Sequence, residues 1–443
     1  MSLLRLRRGH APNCSSGSSV VGLALVSAVA AGAILNTFAD RFRRWRDDDD
    51  SSEDGDPPPR IRTEAFGAIL ALAGAQLHLS PAWAAQARAA GATPIGTDVL
   101  VPGALTAPTE VHLAITDHCP VRCEGCYLSA GPGGSAAEGI DAALSALADL
   151  GVFELALGGG EPLSHPDLLT ILQRARDLGM VPNLTTAGLG LTAQDAQQLA
   201  GLVGQINVSI DGLGELYSSV RGFSGADRAL RSVALLSEAG IRVGVNTVLS
   251  GPLLAAPEAL SALGHAIQAA GAREWQWLRF KPVGRGAQTW DQLSPTPEQL
   301  DRVWDQALQA EADTGLIIRF DCALTPFLVD AGIPRERMEA LGVVGCIGGE
   351  SLWARDTAGG MSPCSFFPGE SASPDEAGTA ALSARWASDP TLKAWRQRAA
   401  SPPAPCASCD HAAICRGGCR AVAAHFGDPM AADPQCPRVR CSV

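Results

Sequence analysis

Short apolar runs alternate with segments of helical periodicity along most of the chain after about residue 108. Between the runs, apolar residues such as Ile140, Leu144 and Leu147 recur at the spacing of one helix face. A later run, LIIRFD (316–321), is a candidate seventh strand. The six clearest strand candidates are VHLAIT (111–116), VFELALGG (152–159), VPNLTT (181–186), QINVSI (205–210), IRVGVNTVL (241–249) and EWQWLRF (274–280).

This alternation predicts an α/β protein with a parallel sheet and helical crossovers. The sheet is either open and doubly wound or closed into a full or partial barrel, and in both cases ligands bind at the carboxyl ends of the strands. Beyond about residue 330 the alternation gives way to sequence rich in Gly, Pro and Cys, with few long apolar runs. Such a region builds little core from side chains, so we expect it to fold around metal.

The first 62 residues have the composition of a tail. Residues 19–38 carry no charge and are nearly long enough to cross a bilayer, but arginines flank them on both sides, so the positive-inside rule does not choose an orientation. A single-pass membrane anchor, a loosely ordered tail and a start codon placed too early all remain open. An acidic, proline-rich linker follows at 43–60, and residues 63–107 look helical and Ala-rich.

Composition limits the function classes. A chain of 443 residues with 46% hydrophobic content indicates one large domain plus smaller pieces. The formal net charge of -12, from 34 basic and 46 acidic residues, provides no basic surface for nucleic acid, which we exclude as a partner. The 13 cysteines cluster, and in a long chain this indicates metal or iron–sulfur ligation in a reducing compartment rather than disulfides. We therefore expect a cytoplasmic catalytic domain.

Cys119, Cys123 and Cys126 form a CxxxCxxC motif directly after the first strand, on the expected functional edge of the sheet. Three thiolates fill three corners of an iron–sulfur cube and leave the fourth iron free to bind a small molecule. The alternative is structural zinc, which normally has four protein ligands, and no suitable fourth ligand follows Cys126.

This motif, followed by the aromatic Tyr127, resembles the signature of the radical S-adenosylmethionine enzymes. The resemblance implies that the three cysteines hold a 4Fe-4S cluster whose free iron binds S-adenosylmethionine, and that one electron releases a 5′-deoxyadenosyl radical. It also implies a partial (β/α)6 TIM-like barrel, which we assign to residues 108–325.

Other positions match the family in chain order. In the family, the GGGEP segment contacts the methionine amino group, two polar residues after the fourth strand contact the ribose or nearby substrate, and an arginine pairs with the methionine carboxylate. Asn246, Lys281 and Arg285 are weaker matches, and no catalytic residue is identified. The implied cofactor-binding residues are Tyr127, Gly159, Gly160, Glu161, Pro162, Ser209, Asp211 and Arg221.

The C-terminal cysteines, in residues 326–443, are similar to the seven-cysteine pattern of the SPASM domain, which carries two auxiliary iron–sulfur clusters. The resemblance implies one cluster, expected to be 4Fe-4S, on Cys406, Cys409, Cys415 and Cys436. It implies another on Cys346, Cys364 and Cys419, for which Cys322, Cys441, a substrate group or nothing is the fourth ligand. Two structural zincs are the alternative for this region.

Within this family the resemblance implies an oxidoreductase that modifies a peptide or protein, a maturase, with a reducing partner such as flavodoxin or ferredoxin. The alternatives are a radical enzyme acting on a small molecule such as a tetrapyrrole, and a non-catalytic iron–sulfur or zinc protein. The sulfatase-maturing branch ranks low, because Ser365 stands where that branch has an aspartate. The expected helical lead-in at 63–107 provides no strand-rich domain for a leader peptide, which weakens the precursor-peptide interpretation.

Overall fold

The computed structural model describes residues 59–72, 75–97, 99–101, 104–340, 343–367 and 378–441. The candidate membrane segment at 19–38 and most of the acidic linker lie outside these ranges. Within them, no helix combines the length and the apolar character that a bilayer crossing requires.

A small sheet precedes the barrel. Its strand order is β3-β2-β1-β4, with β1–β2 and β2–β3 antiparallel and β1–β4 parallel. The helix α1 packs against β1, β2 and β3. The elements are β1 (Arg60–Glu64), β2 (Gly67–Leu72), β3 (Ala75–Leu79), α1 (Pro81–Ala89) and β4 (Thr93–Ile95).

The expectation that residues 63–107 are helical is wrong outside α1. Alanine is the strongest helix former, but intrinsic propensity is a weak predictor that tertiary packing overrides. In β2, Ala68, Ile69 and Leu70 are all fully buried, so the strand is covered on both faces. Gly67 has φ +141°, and a Cβ there would lie 2.2 Å from the Leu79 carbonyl oxygen, so this strand can begin only at glycine.

The main sheet has nine strands in the order β11-β10-β9-β8-β7-β6-β5-β12-β13. From β5 to β11 all neighbouring strands are parallel and follow chain order, as in an open barrel rather than a doubly wound sheet. The predicted partial barrel is confirmed, and LIIRFD forms the seventh strand. These strands are β5 (Glu110–Thr116), β6 (Glu154–Gly159), β7 (Val181–Thr186), β8 (Ile206–Ser209), β9 (Val243–Leu249), β10 (Glu274–Arg279) and β11 (Ile317–Phe320).

Alternation along each strand separates the core from the barrel interior. In β5, Val111, Leu113 and Ile115 are buried against the outer helices, whereas Glu110 and His112 are half-buried on the opposite, interior face. The barrel helices are α2 (Ile140–Leu150), α3 (Leu168–Asp177), α4 (Ala193–Leu199), α5 (Gly214–Arg221), α6 (Ala226–Glu238), α7 (Gly251–Leu254), α8 (Pro257–Ala269), α9 (Arg285–Gln288), α10 (Trp290–Leu293), α11 (Pro297–Leu300) and α12 (Val303–Thr314).

The C-terminal region follows the barrel in the chain and also adds two strands to the barrel sheet. Strand β12 (Leu352–Arg355) pairs parallel to β5, and β13 (Met361–Ser362) pairs antiparallel to β12. Trp353 and Trp386 are buried in the same core as the barrel, so sheet and core both continue past the predicted boundary at 325/326. The helices are α13 (Thr325–Asp330), α14 (Arg335–Ala340), α15 (Thr379–Ser388), α16 (Pro390–Ala400), α17 (Ala412–Cys415), α18 (Arg420–His425) and α19 (Pro437–Arg440).

Candidate functional site

The loop that carries Cys119, Cys123 and Cys126 joins β5 to α2 at the carboxyl end of the strands. Cys119 is buried, and the other two thiols are partly exposed. Arg285 fixes the loop: its Nε donates to the Cys123 carbonyl at 2.8 Å and its Nη2 to the Ala130 carbonyl at 2.9 Å. Arg285, a weak sequence match for cofactor binding, therefore holds the cysteine loop in place.

The glycines that end β6 pack directly against this loop. Gly159 has φ +123°, and a Cβ there would lie 2.1 Å from the Thr116 carbonyl oxygen. A Cβ on Gly160 would lie 2.0 Å from the His118 carbonyl oxygen. These glycines allow the two backbones to touch, whereas a Cβ on Gly158 would meet nothing within 4 Å.

The carboxylate of Glu161 is buried and fully engaged. It accepts from Thr186 Oγ1 at 2.6 Å, from the Ala187 amide at 2.7 Å and from the Leu163 amide at 3.0 Å. Burial raises the pKa of Glu161, and these hydrogen bonds oppose the rise. Glu161 thus joins β6, the 3-10 turn that begins at the buried Pro162, and the end of β7.

Asp211 and Arg221, expected to contact different parts of the cofactor, pair with each other. Arg221 Nε lies 2.7 Å from Asp211 Oδ2, and the Val248 amide donates to Asp211 Oδ1 at 2.8 Å. Arg221 Nη1 lies 4.0 Å from Cys123 Sγ, so the guanidinium sits beside the cysteine loop. Ser209 ends β8 in register with Asn246 of β9, whose buried Oδ1 has no hydrogen-bond partner among the described residues.

The seven predicted auxiliary ligands and Cys322 form two groups of four. Within each group the thiols interact electrostatically. The first, here called the outer group, contains Cys406, Cys409, Cys415 and Cys436. The second, the inner group, contains Cys322, Cys346, Cys364 and Cys419. Burial, followed by neighbouring thiolates, raises the pKa of Cys364 and of Cys415 to about 12. Metal binding must therefore displace thiol protons.

The surroundings of these thiols suit anionic iron–sulfur clusters. The Phe366 amide donates to Cys364 Sγ at 3.4 Å, and nearby backbone amides oppose the burial that raises the pKa of Cys415, Cys419 and Cys436. Such donors stabilise cluster thiolates. Near the inner group, Arg420 is 1% exposed, and its Nε and Nη1 have no hydrogen-bond partner among the described residues.

Burial lowers the pKa of Arg420 to about 10, against the raising effect of the Cys346 charge. A buried guanidinium with unpaired nitrogens, next to Cys419 in the chain and acted on by the charges of Cys346 and Cys364, fits a cluster of negative charge. In the described ranges, no three His, Cys, Asp or Glu side chains are arranged to hold one metal ion. In a cubane each cysteine binds a different iron, so its ligands stand further apart than those of a single ion.

Aromatic contacts connect the cysteine loop with the inner group. The Tyr127 ring lies 4.6 Å from the Phe366 ring, centroid to centroid, and burial raises the pKa of Tyr127. Next to Phe366, Ser365 Oγ lies 3.0 Å from His112 Nδ1, and His112 Nε2 lies 3.4 Å from Glu110 Oε1. The sequence prediction missed His112, whose signal was a titratable side chain on the inward face of β5.

The comparisons with known proteins agree with this geometry. Residues 113–253 match the family described as the Radical SAM superfamily. A PqqA peptide cyclase from Ruegeria pomeroyi is 30% identical over 349 residues, which cover 75% of this chain and 88% of that protein. This chain belongs to the radical SAM superfamily. The family recognised from the cysteine motif and Tyr127 is thereby confirmed, and the chain is an enzyme of this type.

One further relative and one solved structure are also similar to this chain. An AdoMet-dependent heme synthase from Methanosarcina barkeri is 27% identical over 356 residues, which cover 74% of this chain and 96% of that protein. The crystal structure of Streptococcus suis SuiB bound to the precursor peptide SuiA superposes with a TM-score of 0.68 at 18% identity, over 87% of this chain and 99% of that one. The second likeness concerns the fold alone.

Proposed function

We propose that this protein is a radical SAM oxidoreductase that modifies a peptide or protein. Cys119, Cys123 and Cys126 would hold a 4Fe-4S cluster with one iron free for S-adenosylmethionine. When bound, the cluster and S-adenosylmethionine supply one-electron cleavage to a 5′-deoxyadenosyl radical, which takes hydrogen from the substrate. The observation that carries the proposal is the 30% identity to a PqqA peptide cyclase over 88% of its length.

The chain's own residues would orient the cofactor and shield the reaction. Arg221, held by Asp211, keeps its Nη1 beside Cys123, where it could bind the methionine carboxylate. The open space over Gly158 leaves room for the cofactor at the carboxyl end of β6. The half-buried His112 lies on the interior face of β5, where its imidazole could accept a proton from the substrate, and Ser365 would orient the ring through the 3.0 Å contact with Nδ1.

The small N-terminal sheet supports a peptide substrate. Strand β3 is at its edge, and in the described ranges no strand pairs with its outer side. An extended peptide can add to such an edge through main-chain hydrogen bonds. Because the region forms a four-stranded sheet together with α1, the reason given above for weakening the precursor-peptide interpretation no longer holds.

The second candidate function is modification of a small molecule. It is favoured by the heme synthase from Methanosarcina barkeri, 96% of which aligns with this chain. A tetrapyrrole substrate would not need the edge of β3. Mass analysis after incubation with a short peptide encoded beside this gene, or instead with a tetrapyrrole, distinguishes the two candidates.

Two auxiliary clusters complete the proposal. The outer group would hold one, and Cys346, Cys364 and Cys419 of the inner group would provide three ligands of the other. An auxiliary cluster can accept the electron that leaves the substrate radical, and the contact between Tyr127 and Phe366 connects the two sites. A flavodoxin or ferredoxin would supply the reducing electron.

The first experiment is iron and sulfide analysis of anaerobically reconstituted protein, combined with chromatography of 5′-deoxyadenosine after dithionite reduction in the presence of S-adenosylmethionine. Three cubanes contain about twelve irons, and we expect 5′-deoxyadenosine to form. Cys123→Ala should abolish its formation while the auxiliary clusters stay loaded. Zinc in place of iron, or cofactor cleavage retained in Cys123→Ala, would refute the assignment.

A further inference from the structure

Cys322 lies in a rigid turn between the barrel and the C-terminal region. It starts the 3-10 turn Cys322–Leu324 directly after β11. The preceding carboxylate, Asp321, is paired with the buried Lys281, and the following carbonyl, of Ala323, accepts from Arg279 Nη1 at 3.1 Å. Residues on both sides of Cys322 are thus fixed by buried cations of the β10 end.

The same arginine fixes the position of Cys419. Arg279 Nη2 lies 3.1 Å from Asp433 Oδ1, and Asp433 Oδ2 accepts from the Cys419 amide at 3.0 Å. Ala323 and Cys419 also belong to one buried apolar cluster. One guanidinium therefore bridges the backbone beside Cys322 and the residue that holds Cys419.

The contacts of Lys281 show that Cys364 lies close to Cys322 and Cys419. Its Nζ lies 4.2 Å from the centroid of the Phe366 ring, and the Phe366 amide donates to Cys364 Sγ. The charges that act on Lys281 come from Asp321, Cys419 and Cys322. Cys322 in turn interacts with Cys346 and Cys419.

Other candidates for the fourth ligand are engaged or remote. Cys441 is exposed at the end of α19, in the turn that starts at Cys436 of the outer group. The Asp321 carboxylate is occupied by Lys281 and by the Ala323 amide at 3.1 Å. Ser365 Oγ is paired with His112.

We infer that Cys322 is the fourth protein ligand of the auxiliary cluster held by Cys346, Cys364 and Cys419. This inference rests on the proposed function, which supplies the cluster. With four thiolates, no iron of the inner cluster is open to substrate. Such a cluster would be restricted to electron transfer, and the substrate would be contacted by residues of the barrel interior.

The test compares Cys322→Ser and Cys322→Ala with the matched control Cys441→Ala, all anaerobically reconstituted as full chains. Iron and sulfide are counted, and electron paramagnetic resonance spectra are recorded after dithionite reduction with saturating S-adenosylmethionine. We expect Cys441→Ala to match the wild type. Cys322→Ala should lose up to about four of about twelve irons, or show an altered electron paramagnetic resonance signal of the inner cluster. Added 2-mercaptoethanol, which supplies a thiolate, should shift this signal towards that of the wild type.

Cys322→Ser is the decisive variant, because serine keeps the volume of the side chain and can still bind iron. Retained iron with shifted g values and a shifted potential for one cluster supports the inference. Wild-type g values and potential in Cys322→Ser would overturn it. Failure of the proposed function is recognised separately, by zinc in place of iron or by absent 5′-deoxyadenosine in the wild type.

Discussion

Single residues at the end of β6 set the shape of the cysteine loop. Gly159 and Gly160 were expected to present their backbone to a ligand, but the structure uses both for contact with Thr116 and His118 of the loop. The Gly160 amide also serves the loop, since it donates to the Thr116 carbonyl at 2.7 Å. A role in contacting the cofactor is therefore additional to this packing role.

Gly160→Ala should remove the cluster of Cys119, Cys123 and Cys126 while leaving the fold intact. The new Cβ would overlap the His118 carbonyl oxygen at 2.0 Å, so the loop must shift. We expect a loss of about four irons with the auxiliary clusters retained, measured by iron analysis and electron paramagnetic resonance. Gly158→Ala, whose Cβ meets nothing within 4 Å, is the control. Full iron content in Gly160→Ala would contradict the packing role.

At the scale of elements, a buried ion pair attaches the small sheet to the barrel. Arg62 of β1 is 0% exposed; its Nε pairs with Glu64 at 2.8 Å, and its Nη1 donates to the carbonyls of Pro108 and Gly151 at 2.8 Å each. The Thr106 amide donates to Glu64 Oε2 at 2.8 Å. The strand that sequence analysis missed is therefore anchored on both sides of β5.

Arg62→Ala should release this sheet. It leaves Glu64 buried without its cation, and breaking a buried pair in this way costs about 3–5 kcal/mol. Hydrogen exchange followed by mass spectrometry should show faster exchange over β1–β4, with unchanged iron content. Arg88→Ala removes only the exposed contact of Arg88 with Thr63 at 2.8 Å and should have little effect. Equal exchange in the two variants would argue against the anchor.

At the scale of the whole molecule, the C-terminal region is joined to the barrel by sheet, core and charge. Strand β12 extends the barrel sheet beside β5, and Trp353 and Trp386 continue its core. The ion pair of Arg279 and Asp433 connects β10 with the loop before Cys436, and both side chains are at most 1% exposed. The C-terminal cysteines are thus held in place through contacts with the barrel.

Asp433→Ala should lower the melting temperature of the reconstituted protein far more than Asp301→Ala. Asp433→Ala leaves the buried Arg279 without its carboxylate partner, and breaking a buried pair in this way lowers the free energy of unfolding by about 3–5 kcal/mol. The Asp301–Arg440 pair is partly exposed, and such pairs contribute about 0–1 kcal/mol. Anaerobic thermal unfolding followed by circular dichroism measures both shifts. Similar shifts in the two variants would show that the Arg279 pair does not hold the regions together.

The sequence by itself determined the features that depend on local spacing. Strand–helix alternation from residue 108 predicted the barrel strands, because periodicity reports which face of each element is buried. The motif of Cys119, Cys123, Cys126 and Tyr127 indicated the family, because the ligands of this cluster are close in sequence. The SPASM pattern and the individual ligand assignments stay predictions.

Only the tertiary structure decided the features that depend on contacts between distant residues. The Ala-rich lead-in forms strands because tertiary packing, in which α1 takes part, buries Ala68, Ile69 and Leu70 of β2. Asp211 pairs with Arg221, and Cys322, which the sequence left as one of several candidates for the fourth ligand, interacts with Cys346 and Cys419. None of these contacts leaves a local signal in the sequence, because burial and charge pairing are properties of neighbours that folding brings together.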